Sequence, residues 1–447
     1  MRYRAEATPL RSPAGARWRS RVFTLLQHSL VAWACVYFAL LAVSGHTYIR
    51  SVAFGIALIL AVWLIAGALF SDNEPITMPD RSLLWAIGIW SAWSTLSLTW
   101  SIHPEYSNAE WGAEVVWGLA TAIIFYVAAR SGSAFRVMMS AAIATCVLLA
   151  ILAIAGSLES GTTDHEQTLA RAHGGVGAFS TYLVLVMPLL LLMLVKTPTG
   201  FGARSPIVIA AIVVFVLMLV AAHVTGNRMI WVALAMGFVV AGSLAAWRWR
   251  ARLRRAPLRW FAVLLTLLLL FTILFIDAAG RRARTDTNGD STVARALAQD
   301  PRFLLWQHTF ERIRERPWTG FGFGKSILRE ELRSELGDPL LAHAHNLFVS
   351  QWLQTGAIGV ATLVALLATL AWCYGQFLRA PDDTLAVIGM VGLTLLASFV
   401  VKNLTDDFMT RPTSKEFWAL NALLVGWGAR LADADFARKS FAKSASV

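Results

Sequence analysis

The stretch WLQTGAIGVATLVALLATLAWCYGQF, residues 352–377, contains no charged residue. At 1.5 Å per residue, a helix of this length more than crosses a hydrocarbon core of about 30 Å. Immediately before it stand two histidines and an asparagine, in HAHNLFVSQ (343–351). A membrane helix entered through titratable residues is the pattern the rest of the sequence has to explain.

Similar apolar runs recur along the chain. Twelve candidate spans cover roughly 22–42, 51–70, 82–99, 112–129, 135–156, 176–195, 206–222, 229–247, 258–277, 352–377, 384–401 and 416–431. The 447 residues are 57% hydrophobic and only 15% charged, with 19 tryptophans, which excludes an ordinary soluble domain. The sequence therefore predicts an all-α polytopic membrane protein. Its three cysteines, Cys35, Cys146 and Cys373, all lie inside apolar runs without paired spacing, so neither a disulfide framework nor a metal site is expected from them.

The net charge of +12 is carried mostly by arginine and clusters between spans. That placement points to topology, anionic lipid or an anionic substrate, and away from nucleic acid. Arg2, Arg4, Arg11, Arg17, Arg19 and Arg21, the run WRWRARLRRAPLR (247–259) and a tail with Arg438, Lys439 and Lys443 fall on one side if the spans number twelve. By the positive-inside rule that side is the cytoplasm, with both termini there. The expected division is a basic N-terminal segment (1–21), nine spans (22–277), one large extracytoplasmic loop (278–351), three spans (352–431) and a cytoplasmic tail (432–447).

Within the large loop, DPRFLLWQHTFERIRERP (300–317) reads as a helix capped by Asp300, started by Pro301 and stopped by Pro317. Phe303, Trp306, Phe310 and Ile313 recur at helical spacing, so that face is expected to pack on apolar surface and to cover a lateral opening to the membrane. Next comes WTGFGFGKS (318–326), which has the end of a phosphate loop. The position where such a loop needs its first glycine is Thr319, so Gly320, Gly322 and Gly324 read as turn glycines.

Arg302 opens the loop helix, where a cation opposes the helix dipole unless an anion is near. Arg228, in HVTGNRMIWVAL, and Arg171, in LARAHGG, stand at other span boundaries on the same expected face. Each alone reads equally as an arginine snorkelling to the interface. Together they suggest an anion site, because guanidinium forks bind phosphate oxygens bidentately. His345 has the chemistry of a general base, and Asn346 beside it can orient a substrate or cap a helix. Asp406, in KNLTDDFMTRP (402–412), either orients His345 or is a solvated loop carboxylate. His343 and His345 alone would suggest a metal, but no Asp, Glu or Cys completes a ligand set nearby, so no metal site is expected.

HNLFVSQWLQTGAIG resembles the His-Asn, nine residues, Gly-x-x-Gly motif of the O-antigen ligase and O-antigen polymerase superfamily. RFLLWQHTFERIRERPWTGFGFG and GNRMIWVAL are similar to further segments of that family, and the resemblance spans roughly 165–425. It implies a GT-C-like glycosyltransferase of about twelve transmembrane helices with one large periplasmic loop, in the bacterial inner membrane with its site facing the periplasm. The ligase branch implies transfer of a polysaccharide from undecaprenyl pyrophosphate to lipid A–core, with inversion and without cofactor or metal. Arg228, Arg302 and Arg171 would hold the pyrophosphate, His345 would be catalytic, and Asn346 and Asp406 would meet the acceptor. The polymerase, a protein O-oligosaccharyltransferase and, from another class, a lipid-linked sugar transporter are the alternatives.

Overall fold

The structure is a computed structural model that describes residues 13–43, 45–69, 77–195, 206–250, 257–286, 302–337 and 343–444. Regular structure among them is entirely helical. In chain order the helices are α1 (Pro13–Ala42), α2 (Thr47–Leu69), α3 (Arg81–Leu96), α4 (Pro104–Ala128) and α5 (Gly132–His173). They continue as α6 (Val176–Met193), α7 (Pro206–Val224), α8 (Arg228–Arg248), α9 (Pro257–Asp286), α10 (Arg302–Glu315) and α11 (Arg329–Leu336). The last three are α12 (Leu347–Arg379), α13 (Asp383–Lys402) and α14 (Arg411–Ser444).

Among the described residues nine helices are long and apolar enough to cross a membrane: α1, α2 and α4 to α8, with α12 and α13. The other expected spans are also helical but fall outside that group. α3 has 16 residues, the described apolar part of α9 is Leu265–Gly280, and α14 becomes polar along its length. The chain is thus a polytopic membrane protein, and α6 and α13 lie innermost, with 78% and 72% of their spans buried against other helices.

Side-chain caps set the starts of the helices that matter to the site. Asn227 Oδ1 accepts from Met229 N at the start of α8, Asp382 from Leu385 N at α13, and Asn346 from Phe348 N and Val349 N at α12. α8 and α13 pack together and run antiparallel. Arg248 Nη2 lies 3.3 Å from Asp383 Oδ1, and no space for a Cβ remains between Gly237 and Ser398. The Arg228 end of α8 is therefore beside the Lys402 end of α13.

α12 is broken. Gly356 takes φ 71° and ψ −175°, a conformation that interrupts the helical hydrogen-bond ladder and exposes the carbonyls before it. The loop after α10 supplies two of the missing donors and α3 a third. Phe321 N donates to Leu353 O (3.0 Å), Gly322 N to Gln354 O (2.9 Å), and the indole of Trp93 to Thr355 O (2.9 Å). Ala357 N in turn donates to Pro317 O at 2.8 Å. Gly320, Gly322 and Gly324 all have positive φ, and a side chain at any of them would meet backbone or packed side chains.

The loop helix α10 corrects one expectation. Its buried face is Leu305, Thr309 and Ile313, at 0%, 0% and 4% exposure, whereas Phe303 and Phe310 are 59% and 40% exposed. The i, i+4, i+8 row packs with Phe321, Ile327, Leu328, Leu332 and Leu353 into a small core of its own, and an aromatic spacing pattern misplaced the seam by one helical position. The expected cap at Asp300 and Pro301 lies outside the described residues, as do the arginines at 2, 4 and 11 and the run 251–256.

Replacing Gly356 by alanine is expected to cost at least about 1–3 kcal/mol from backbone strain, with a further cost from collision with the Trp318 carbonyl. The measure is the thermal midpoint in detergent, against Gly88→Ala, where an added methyl meets nothing. Equal midpoints for the two variants would contradict the role of the break.

Candidate active site where α12 and α13 meet

The turn that follows α13 is stitched to the start of α12. Leu347 N donates to Asn403 O (2.9 Å), and Asn346 Nδ2 donates to Leu404 O (2.8 Å). Asn403 is buried, and its Oδ1 accepts from Phe408 N at 2.6 Å, which closes the turn on itself. Both amide atoms of Asn346 therefore serve the backbone. Its cap and its strap give Asn346 a positioning role.

These bonds place Asp406 opposite the two histidines. Asp406 Oδ1 lies 3.4 Å from His345 Nδ1 and 3.7 Å from His343 Nε2, and the imidazole centroids are 3.8 Å apart. The three side chains are 16–19% exposed, enough to be reached by a substrate and too little to be solvated freely. His345 holds φ 47°, a left-handed conformation unusual for a residue with a Cβ. The indole of Trp306, one turn into α10, fixes the residue before it by donating to Ala344 O at 2.7 Å.

The expectation that no acid completes a ligand set with the two histidines is overturned. Asp406 is distant in sequence and adjacent in space, and His343, His345 and Asp406 are the one group of three His, Cys, Asp or Glu, among the described residues, with donor atoms close enough for a metal ion, all within 4.8 Å. The solvated-loop reading of Asp406 fails for the same reason: it is mostly buried and faces imidazoles.

Two lysines complete the site, and sequence reasoning missed both. Lys325 follows the three turn glycines, and its Nζ donates to Asp407 O at 2.6 Å while lying 5.5 Å from the Phe408 ring centroid. Lys402, the last residue of α13, is 1% exposed and lies 4.6 Å from the same centroid. Phe408 is thus held between two ammonium groups. The signal for Lys402 was a lone cation at the end of an apolar span. That for Lys325 was hidden in the rejected nucleotide motif.

Burial acts to raise the Asp406 carboxyl, but His343, His345, Lys325 and Lys402 outweigh it and hold the group well below the usual carboxylate range. Burial pushes the His343 imidazole down to about 4, and Lys325 and His345 act in the same direction against Asp406. Asp407, 2% exposed, is raised by burial, with Lys325 opposing. The two neighbouring carboxyls are thus pushed in opposite directions, Asp406 down by its histidines and lysines and Asp407 up by burial.

The three expected arginines all stand at helix ends. Arg302 is the first residue of α10 and bears electrostatically on Lys402 together with Lys325 and Asp406. Arg228 begins α8 at the Lys402 end of the α8–α13 pair, and Asn227 before it donates to Ser180 Oγ at 3.1 Å. Arg171 is in the last turn of α5, and its side chain lies outside the described part of the structure. The turn that follows α5 leads to Gly177, whose Cα packs against the Phe408 ring too closely for a Cβ.

Residues 213–364 match the family described as O-Antigen ligase. A general O-oligosaccharyltransferase of Acinetobacter baylyi is 26% identical over 164 residues, which is 35% of this chain and 28% of that protein. The match thus spans under a third of the relative's length. The matched residues 213–364 carry Arg228, Arg302 and His345, and over that third of its length the chain is similar to the O-antigen ligase family.

Proposed function

We propose that this chain is an O-antigen ligase: a glycosyltransferase that moves polysaccharide from undecaprenyl pyrophosphate to a sugar hydroxyl of lipid A–core, at the periplasmic face of the inner membrane, with inversion and without a metal cofactor. The observation that carries the reading is the Asp406–His345 pair at 3.4 Å, set where the helix ends bearing Arg302 and Arg228 converge.

The chemistry follows from the placement. Asp406 faces Nδ1 of His345, which favours a proton on that nitrogen and leaves the Nε2 lone pair for the acceptor. The acceptor oxygen attacks the anomeric carbon, its proton passes to Nε2, and the bond from that carbon to the pyrophosphate oxygen breaks. Negative charge grows on the departing pyrophosphate, and fixed cations are worth most where charge develops. Arg302 and Arg228 supply forks for phosphate oxygens, Arg171 a further one, and Lys325 and Lys402 hold the turn that carries Asp406. Because bond energy is already stored in the donor, no nucleotide is required.

A second reading is a protein O-oligosaccharyltransferase, favoured by the likeness to the Acinetobacter protein. Transfer of the same donor to a serine or threonine hydroxyl would use the same base. The polymerase differs in keeping the product on undecaprenyl pyrophosphate. A carboxylate enzyme built on the loop helix α11 is disfavoured, since Glu335 is committed to Arg312 and His308.

The deciding experiment incubates purified protein with undecaprenyl-pyrophosphate-linked glycan and either rough lipopolysaccharide or an acceptor protein. Glycan on lipid A–core supports the ligase. Glycan on protein, or a longer chain still on the carrier, assigns the protein transferase or the polymerase. His345→Ala should lower transfer by about 10²–10⁴-fold, the usual worth of a general base. Transfer within tenfold of wild type would remove His345 from catalysis.

Arg302→Lys keeps the charge and loses the fork. It is expected to raise the donor KM and lower kcat together, with a fall of tenfold or more in kcat/KM. An unchanged kcat/KM would place Arg302 outside the donor site.

A further inference from the structure

The proposed transfer needs one imidazole, yet two face Asp406. His343 Nε2 and His345 Nδ1 are both buried atoms without a hydrogen-bond partner in the structure, and both are directed at the same carboxylate oxygen. A carboxylate that pairs with one histidine has no need of the second. Three donors converging on one point have a use if something occupies the point.

We propose that His343, His345 and Asp406 form a binding site for a single divalent transition ion of the zinc class, and that the ion shuts the site down. Zinc binds imidazole nitrogen and carboxylate oxygen at about 2.0–2.2 Å, so neighbouring donors of a tetrahedral site lie about 3.3–3.6 Å apart. The 3.4 Å separation of His345 from Asp406 Oδ1 falls within that edge, the 3.7 Å of His343 lies just beyond it, and the three donor atoms lie within 4.8 Å of one another. Three protein donors leave a fourth position for water. The ion class follows from the donors and their surroundings. Two imidazoles favour zinc, cobalt, nickel or copper over magnesium or calcium, which take oxygen ligands. Lys325 and Lys402 stand close by and oppose any cation, so an ion must gain from nitrogen coordination to bind at all.

The consequence for catalysis rests on the function proposed above. An ion on His345 Nδ1 displaces the proton from that nitrogen, and a neutral imidazole then carries its one proton on Nε2. Nε2 becomes a donor and can no longer accept from the acceptor hydroxyl. The ion also takes Asp406 from its orienting role. It is therefore an inhibitor of the transfer, and its removal restores the base.

The test titrates cobalt(II) into metal-free protein purified in detergent through a tag without histidine. A tetrahedral site gives the visible d–d absorption of bound cobalt, which needs no substrate. The expected result is one ion per chain, displaced by zinc. The band should be lost in His343→Gln, His345→Gln and Asp406→Asn, each with a thermal midpoint that shows it folded. Saturating zinc should lower wild-type transfer at least tenfold, and a chelator should restore it. His343→Gln should transfer glycan without zinc sensitivity.

Absence of the band, or its survival in all three variants, overturns the site. Bound zinc that leaves wild-type transfer unchanged overturns the inhibition. Because the band is read without donor or acceptor, a chain that binds cobalt and transfers nothing upholds the site and sinks the ligase reading instead.

Discussion

The hydrogen bonds between the broken turn of α12 and the loop after α10 set up everything else. A helix at membrane depth has no water to satisfy a free carbonyl, and each unmet group costs several kcal/mol. Gly356 exposes such carbonyls, and Phe321 N, Gly322 N and Trp93 Nε1 accept the obligation. Phe321 N and Gly322 N reach Leu353 and Gln354 only because the loop runs directly against the helix, which is why glycines recur in it, while Trp93 reaches Thr355 from α3. The same loop then has one direction in which to leave, and it delivers Lys325 to Asp407. An interruption that would destabilise an isolated span is thus the joint that fastens an extramembrane segment to it.

The site gathered at this joint is electrostatically lopsided. Lys325 and Lys402 act on Asp406, Arg302 acts on Lys402, and Arg228 begins α8 at the Lys402 end of the α8–α13 pair. Cations crowded this way repel, and their mutual repulsion is a standing cost unless an anion shares the space. Asp406 offsets part of it. A bound polyanion would offset more of it, and fixed cations attract such a ligand more strongly the more negative charge it carries.

The sequence made the membrane class and the position of the helices plain, because apolar runs are long and their boundaries are marked by charge. It also exposed His345, Arg228 and Arg302, each at a helix end. What stayed hidden was contact between distant segments. Asp406 looked like one of several loop acids because nothing local ties it to a histidine some sixty residues earlier. Lys402 looked like a boundary cation, and Lys325 like the residue of a failed nucleotide motif. The seam of α10 was misread because aromatic residues were weighted over Leu305 and Thr309. Thr309 is polar, and it is buried with its hydroxyl donating to Leu305 O within the helix, which no hydrophobic pattern reports.

The backbone of His345 explains why the histidines stand at the doorway of a span. A non-glycine residue at φ 47° carries a strain of about 1–3 kcal/mol, which persists only where its surroundings over-determine it. Both neighbours are pinned: Ala344 O by the Trp306 indole, and Asn346 by its cap on α12 and its strap to Leu404. With both sides fixed, His345 has no freedom to relax to an extended conformation that would swing its ring from Asp406. The cap that begins the membrane helix is therefore also the clamp that holds His345. A helix start is the one place in a span where backbone donors are free for such a clamp, so a histidine clamped in this way sits where the helix begins.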